Sequence, residues 1–241
     1  MYNQFVEATG AARTVDVFFC DMGAADEASL QRDWKILSAD ERQRAGRFHF
    51  DRDHSMFVSC RATLRRLLAE RTSRSPESLK FAFGPQGKPS LPGTHVSFNL
   101  SHAGQWFACA ISTGGELGIE LGIDIEHVHP LEDMQALARH FFAPAEVERL
   151  ASIPKTERTR SFFECWTRKE AVIKATGEGV SRPLDSFEVA FGPNTAPALL
   201  RLDNQPTPGW PMHTFDPAPQ YIAALTAPQA LGDIRTTFLA T

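Results

Sequence analysis

Hydrophobic and polar residues along the chain follow two spacings, one typical of helices and one typical of strands. Residues 56–70 carry apolar side chains three and four positions apart, which predicts a helix with one buried face. Ser38 and Glu41 have the spacing of a capping box, so we expect another helix over residues 38–47. Residues 15–20 are β-branched and aromatic, which predicts a strand.

Further segments extend this pattern over the rest of the chain. In the first half we predict strands at residues 81–83, 96–98 and 106–111. In the second half we predict strands at 121–128, 186–191, 198–202, 212–215 and 221–226, and helices at 131–140, 143–152 and 159–176. Both halves therefore combine helices with a sheet.

Four pairs of similar segments indicate an internal duplication. They are 38–44 with 143–149, 57–60 with 162–165, 81–85 with 189–193, and 105–108 with 220–223. The alternative is a chance similarity between common helix and strand patterns. A duplication predicts an α+β fold of two similar helix-plus-sheet halves related by pseudo-twofold symmetry. We assign the halves to residues 1–113 and 114–241, joined near Gly114 and Gly115, and expect the site in the crevice between them.

Composition and charge narrow the class of protein. The chain has 241 residues, 42% hydrophobic and 22% charged, which is ordinary for a globular protein and excludes a collagen, a coiled coil and a disordered chain. A net charge of −4 argues against a nucleic-acid partner, and no apolar run is long enough to span a membrane. The N-terminal residues lack the pattern of a signal peptide, so we expect a cytoplasmic protein.

The charged residues are unevenly distributed. Arginines concentrate over residues 42–74, whereas residues 116–132 are acidic. One region could hold anionic groups and the other a cation, which favours a small phosphorylated ligand. The four cysteines are far apart among apolar residues, which predicts buried reduced thiols and gives little support to a zinc site or a disulfide framework.

Two motifs contain carboxylates that could take part in chemistry. Asp124 and Glu126 alternate with isoleucines on a predicted strand, so their carboxylates share one face and could bind Mg²⁺ or Mn²⁺. The alternative is an edge strand with a solvated acidic face. Trp166, Glu170 and Lys174 lie four apart on a predicted helix. Glu170 could be a third ligand or a general base and Lys174 could bind a phosphate, although a surface ion pair is the alternative.

A third motif brings Ser101 and His102 just after a predicted strand, on a turn from which polar groups could reach a ligand. His102 could donate to a phosphate or act as a base, whereas the alternative is a structural histidine.

His127 and His129 could be metal ligands, but the simpler interpretation is that they cap the end of a strand. The sequence has no glycine-rich phosphate loop, no nucleophile-elbow serine and no zinc-protease motif, so arginine, lysine and histidine would have to hold any phosphates.

Taken together and in this order, the motifs resemble those of the 4′-phosphopantetheinyl transferases, in particular the single-chain pseudo-dimeric type that activates peptide synthetase and polyketide synthase carrier proteins. The matching segments are Gly-Lys-Pro at 87–89, Asn-Leu-Ser-His at 99–102, Gly-Ile-Asp-Ile-Glu at 122–126 and Trp-Thr-Arg-Lys-Glu-Ala at 166–171, followed by Lys174. The chain departs from the family pattern at Glu41, where some relatives have lysine or arginine, and at Cys60, where glycine is usual.

The resemblance implies a reaction and a set of residue roles. Coenzyme A would donate its phosphopantetheine arm to a serine of an apo acyl or peptidyl carrier protein, releasing adenosine 3′,5′-bisphosphate. Asp124, Glu126 and Glu170 would hold Mg²⁺, or Mn²⁺, against the diphosphate. Glu170, or a water that it holds, would be the base, and Lys174 would neutralise the diphosphate. The remaining contacts to coenzyme A would come from Arg44, Arg61, Lys88, Ser101, His102 and Lys169.

Three other functions use only part of this set. A non-catalytic coenzyme A binder would not need three carboxylates together, a Mg²⁺-dependent phosphohydrolase would need no carrier protein, and an interaction module would need only the acidic strand. Because one chain supplies both halves of the site, we expect a monomer.

Overall fold

The chain forms helices and strands in the arrangement of an α+β protein. The computed structural model describes residues 14–23, 26–113, 119–203, 205–206 and 210–239. Within these ranges the α-helices are α1 (Glu27–Ile36), α2 (Ala39–Ala45), α3 (Asp51–Thr72), α4 (Met134–Phe141), α5 (Pro144–Ser152) and α6 (Lys155–Thr176). The strands are β1 (Thr14–Asp21), β2 (Ala82–Phe83), β3 (Pro89–Ser90), β4 (Val96–Ala103), β5 (Trp106–Thr113), β6 (Gly122–His127), β7 (Phe187–Ala190), β8 (Ala198–Leu202), β9 (Gln205–Pro206), β10 (Met212–Phe215), β11 (Tyr221–Thr226) and β12 (Ile234–Leu239).

The same order of helices and strands occurs twice along the chain, once around each of two sheets. Strand β1 is followed by α1–α3 and then by the hairpin β4–β5, and β5 pairs antiparallel with β1. Strand β6 is followed by α4–α6 and later by the hairpin β10–β11, and β11 pairs antiparallel with β6. The α+β class is confirmed, and the repeated topology is what a duplication predicts. The pseudo-twofold relation between the halves stays a prediction, and Gly114 and Gly115 lie outside the described residues.

The two sheets pack on each other and each is covered by a long helix. Alternate residues of β1 and β5 meet those of β6 and β11 in one apolar cluster, which includes Val17, Phe19, Ala108, Ile123 and Leu225. Helix α3 packs on the far face of the first sheet, and α6 packs in the core of the second half. All four cysteines are buried with free thiols, as predicted. None of the described helices combines the length and the apolar character needed to cross a membrane.

Four of the described elements were not predicted, namely helix α1, the two-residue strands β3 and β9, and strand β12. Helix α1 begins at Glu27 and is capped by Asp26, whose carboxylate accepts the backbone N–H of Ser29 at 2.7 Å. Strand β12 comes from the end of the chain and pairs in parallel with β1, so the first sheet is completed by residues beyond the predicted boundary at 113/114. Its side chains are mostly exposed, which explains why the pattern of apolar residues did not reveal it. The division into 1–113 and 114–241 stays a prediction.

A buried glutamate caps an equivalent helix in each half. Glu41 accepts the backbone N–H of Ser38 at 2.9 Å and pairs with Arg65 at 2.7 Å. In the second half, Glu146 accepts the backbone N–H of Ala143 and pairs with Lys169 at 2.6 Å. The capping box predicted at Ser38 is therefore confirmed, and each pair ties a short helix to the long helix that follows it.

Helix α6 approaches strand β6 closely at Gly122. A Cβ atom at this position would lie 1.8 Å from the carbonyl oxygen of Ala171 and 2.5 Å from the backbone nitrogen of Ala175. Both atoms belong to the backbone of α6, so no side-chain rotation could relieve the clash. The absence of a side chain at Gly122 therefore sets the spacing between the strand that carries Asp124 and the helix that carries Glu170 and Lys174.

We expect Gly122→Ala to destabilise the fold by about 3 kcal/mol, because overpacking against fixed backbone forces strand and helix apart. Urea denaturation of the full chain would measure the change. Gly46→Ala is the matched control, since a Cβ there would come no closer than 3.6 Å to its neighbours. Equal stability of the two variants would contradict the proposed spacing constraint.

Candidate active site

Two cavities adjoin on either side of Leu100. The first, which we call the carboxylate cavity, has a volume of about 760 Å³ and is lined by Lys88, Asn99, Trp166, Glu170, Lys174 and Arg182, among others. The second, the arginine cavity, has a volume of about 590 Å³ and is lined by Arg44, Arg52, Phe57, Arg61 and His102, among others. Leu100 lines both, so an extended ligand could reach from one to the other.

An ion pair of the second half is hydrogen-bonded to a serine of the first half beside the carboxylate cavity. The Lys174 ammonium donates to Oδ1 of Asp124 at 2.7 Å and to Oγ of Ser101 at 2.7 Å. The Ser101 hydroxyl also donates to Asp124 Oδ1, at 2.8 Å. Asp124 is only 4% exposed. Its other oxygen, Oδ2, is buried and has no hydrogen-bond partner among the described residues, so this carboxylate is only partly satisfied.

The carboxylates near Asp124 experience a negative, poorly solvated environment. Burial, and secondly the charge of Asp124, raise the pKa of Glu126 to about 7. Burial and the Asp124 charge also raise the pKa of Glu170. Carboxylates held together in this way are stabilised by a cation between them. Glu126 and Glu170 therefore both experience the negative charge of Asp124, which a nearby cation would offset.

The side chains are not arranged around an ion. Within the described ranges, no three histidine, cysteine, aspartate or glutamate side chains lie close enough together to hold a metal. The Lys174 ammonium lies against Asp124 Oδ1 and supplies the positive charge that balances this carboxylate. Oxygen donors suited to Mg²⁺ are present, including the unpartnered Oδ2 of Asp124, but binding an ion would require the carboxylates and Lys174 to rearrange.

The arginine cavity has an excess of positive charge. Nε of Arg61 lies 3.5 Å from Glu41, which Arg65 also contacts, so one carboxylate faces two guanidinium groups. Nη1 of Arg61 is buried and has no hydrogen-bond partner in the described part of the chain. Burial lowers the pKa of Arg61. Arg44 lies over the ring of Phe57 on the same wall, at 5.4 Å from its centroid. This wall is suited to an anion.

Ser101 and His102 lie within strand β4, so their predicted location on a turn is wrong. The turn follows at Gly104, whose φ of +55° belongs to the left-handed region. Because neighbouring residues of a strand point to opposite faces, Ser101 meets Asp124 while His102 lines the arginine cavity. Burial, and secondly the charge of Lys174, lower the pKa of His102, which favours the neutral imidazole.

Lys88 lines the carboxylate cavity and is held at its edge. Its ammonium donates to Glu120 at 2.6 Å and to the carbonyl oxygen of Ala175 at 3.1 Å. The predicted residues Lys88, Glu170 and Lys174 are therefore brought to one cavity, and Arg44, Arg61 and His102 to the other. His127 and His129 stack on each other at 5.7 Å and contact Tyr221 and Phe163, respectively.

Lys169 does not reach either cavity, which corrects its predicted contact with coenzyme A. Its side chain is 0% exposed and pairs with Glu146 at 2.6 Å. It also donates to the carbonyl oxygens of Leu184 and Phe187, at 2.8 and 2.6 Å. On a helix, adjacent residues face different directions, so Lys169 points into the core while Glu170 lines the cavity.

Sequence reasoning assigned no role to Asn99, Arg52 or Arg182. Asn99 belongs to the Asn-Leu-Ser-His segment at 99–102, but a side-chain amide does not by itself indicate a particular chemistry. Arg52 lies in the arginine-rich region and lines the arginine cavity. Arg182 lines the carboxylate cavity, where it pairs with Glu178 and with Asp203. Only the folded chain brings these residues to the cavities.

Comparison with known proteins identifies relatives of this chain. Residues 120–226 match the model of the 4′-phosphopantetheinyl transferase superfamily, and residues 24–114 match that of the N-terminal part of 4′-phosphopantetheinyl transferase. The chain is 36% identical to the 4′-phosphopantetheinyl transferase HetI of Nostoc sp., over 83% of this chain and 81% of the relative. It is 32% identical to psf-1 of Bacillus pumilus, over 81% of each chain. It is 28% identical to Sfp of Bacillus subtilis, over 82% of this chain and 84% of the relative.

These findings define an enzyme of the transferase class. The chain belongs to the 4′-phosphopantetheinyl transferase superfamily, and within it to the single-chain type related to Sfp. The resemblance drawn from the sequence motifs is thereby confirmed.

We expect Lys169→Met to destabilise the protein by about 3–5 kcal/mol, because it leaves the Glu146 carboxylate buried without its cation. The double variant Lys169→Met/Glu146→Gln should regain part of this loss, since it removes the buried charge. Chemical denaturation of the two variants and the parent chain would measure both effects. A stable single variant would argue that Lys169 has no structural role.

Proposed function

We propose that this enzyme transfers the 4′-phosphopantetheine arm of coenzyme A to a serine hydroxyl of an apo acyl or peptidyl carrier protein. The other product is adenosine 3′,5′-bisphosphate. The observation that carries the proposal is the pair of adjoining cavities, one cationic and one lined by Glu170 and Lys174 beside buried Asp124. Coenzyme A has a matching division, with nucleotide phosphates at one end and a diphosphate at the point of transfer.

The proposed cofactor is Mg²⁺, with Mn²⁺ as an alternative of similar ligand preference. Asp124, Glu126 and Glu170 would hold it, and the unpartnered Oδ2 of Asp124 supports this choice. When bound, the ion neutralises charge on the diphosphate and makes the adenosine bisphosphate a better leaving group. Lys174 would exchange Asp124 for a diphosphate oxygen, and so keep its ammonium paired in both states.

The chain's own residues would act on the proton and on the developing charge. The serine oxygen forms a bond to the phosphorus of the pantetheine phosphate, and the bond from this phosphorus to the oxygen of adenosine bisphosphate breaks. Glu170, directly or through a water, would receive the serine proton. Lys174 neutralises charge on the departing diphosphate oxygen.

The nucleotide end would be held by the first half of the chain. Arg44 and Arg61 would pair with phosphate oxygens, and the unpartnered Nη1 of Arg61 supports this role. His102 would donate from the wall of the same cavity, and Lys88 would reach the diphosphate from the edge of the carboxylate cavity. Ser101 would contribute by orienting Asp124 and Lys174.

The oligomeric state, the cellular location and the partners of the enzyme follow from the same proposal. The chain would act as a monomer, since both cavities belong to one chain. It would act in the cytoplasm, where coenzyme A and apo carrier proteins are available. Its partners would be the carrier protein and coenzyme A, without nucleic acid or membrane.

Incubation with coenzyme A, Mg²⁺ and an apo carrier protein would test the reaction. We expect the carrier mass to increase by one phosphopantetheine arm, and no increase when Mg²⁺ is removed by a chelator. Asp124→Ala should remove transfer, because it takes away a carboxylate at the centre of the charged group. Release of free phosphopantetheine or phosphate without carrier modification would instead identify a phosphohydrolase, and binding without turnover a coenzyme A binder.

Steady-state kinetics of His102→Ala and Glu170→Gln would separate binding from chemistry. A charge-assisted contact to a phosphate contributes about 1.5–3 kcal/mol in ground and transition states alike. His102→Ala should therefore raise KM for coenzyme A roughly tenfold to a hundredfold and leave kcat nearly unchanged. Glu170→Gln should lower kcat most, because it removes the base. A fall in kcat with unchanged KM in His102→Ala would assign His102 to the chemistry instead.

A further inference from the structure

Strands β4 and β6 face each other at the edges of two different sheets. The first sheet has the order β12-β1-β5-β4 and the second the order β10-β11-β6. Among the described strands, β4 therefore pairs with β5 alone and β6 with β11 alone. The two neighbouring edges carry Ser101 and Asp124, on opposite sides of the junction between the halves.

Two side chains of β4 cross this junction. Oδ1 of Asn99 accepts the backbone N–H of Ile123 at 2.9 Å. Two residues further along β4, the Ser101 hydroxyl donates to Asp124 Oδ1 at 2.8 Å. Residues two apart on a strand share a face, so Asn99 and Ser101 form a short ladder of side-chain bonds in place of a backbone ladder.

The hydrogen bond between Asn99 and Ile123 satisfies a buried backbone donor. The Ile123 N–H is on an edge strand in the protein interior, and a buried donor without an acceptor is costly. Asn99 is itself 5% exposed, so its side chain is held in one position by the packing around it. The bond fixes the peptide between Gly122 and Ile123, one residue before Asp124, relative to the strand that carries Ser101 and His102.

We propose that Asn99 is a positioning residue of the transferase site, which acts by holding β6 against β4. In this role it keeps the Asp124 carboxylate in register with Ser101 and Lys174, and thereby aligns the first half of the site with the second. The inference rests on the proposed function. It differs from a direct contact with coenzyme A, which the location of Asn99 at the wall of the carboxylate cavity also allows.

The test compares Asn99→Leu with Asn99→Asp in the full chain. Leucine has a similar size but offers no acceptor to the Ile123 N–H, whereas aspartate keeps an oxygen there. Thr226→Val is the matched control, because it also removes a bond from a buried side chain to the backbone, here to Pro211, but within a single half of the chain. Asn99→Ala replaces the leucine variant should the latter not fold.

A misplacement of about 1 Å costs an enzyme roughly a hundredfold in rate, so kcat of Asn99→Leu should fall tenfold to a hundredfold. The Mg²⁺ concentration for half-maximal activity should rise. KM for coenzyme A should stay within about twofold, because the contacts that bind coenzyme A equally in the ground state and the transition state are not altered. Asn99→Asp should retain clearly more of kcat than Asn99→Leu, and Thr226→Val should lower the unfolding temperature without these kinetic changes.

Two outcomes would overturn the inference. A rise in KM for coenzyme A with unchanged kcat would assign Asn99 to direct ligand binding. A loss of thermal stability with unchanged kcat and Mg²⁺ requirement would make it structural only. Failure of the proposed function is distinguishable from both, because the parent chain and Thr226→Val would then also leave the carrier protein unmodified.

Discussion

The close approach of helix α6 to strand β6 is the constraint on which the site depends. Gly122 lets the helix backbone lie where a side chain would otherwise be, and Asp124 follows two residues later on the same strand. Helix α6 then brings Glu170 to the cavity wall and Lys174 to the Asp124 carboxylate, at 2.7 Å. A helix held farther away would leave Asp124 buried beside Glu126 with no cation. The packing of one glycine therefore determines the electrostatics of the charged group.

The fold and much of the site could be predicted because they depend on local patterns. The capping box at Ser38, the helix that carries Glu170 and the strand that carries Asp124 all follow from short-range spacing. The family resemblance also rests on such segments. Strand β12 could not be predicted in this way, since its exposed side chains carry no clear apolar alternation and its partner β1 lies at the other end of the sequence.

The wrong predictions share one physical cause. The sequence does not say in which direction a polar or charged side chain points. Lys169 and Glu170 are adjacent, yet one is buried against Glu146 and the other lines the cavity. Ser101 and His102 are adjacent on β4, yet Ser101 bonds to buried Asp124 and His102 lines the arginine cavity. The role of Asn99 was missed because its bond to Ile123 depends on how two separate sheets meet.

Three buried carboxylates in the described part of the chain, Glu41, Glu146 and Asp124, differ in how completely their oxygens are satisfied. Both oxygens of Glu146 accept hydrogen bonds from the backbone, and Lys169 also pairs with this carboxylate, as a structural pair requires. Glu41 and Asp124 each keep one buried oxygen without a hydrogen-bond partner among the described residues. Their partners Arg61 and Lys174 line the arginine cavity and the carboxylate cavity, respectively. An incompletely satisfied buried charge is costly in the free protein, and it can regain interactions when a group of opposite charge enters, such as a cation at Oδ2 of Asp124 or an anion at Nη1 of Arg61. The degree of satisfaction, more than the presence of an ion pair, therefore separates Asp124, at which we propose a ligand, from Glu146, which stabilises the fold.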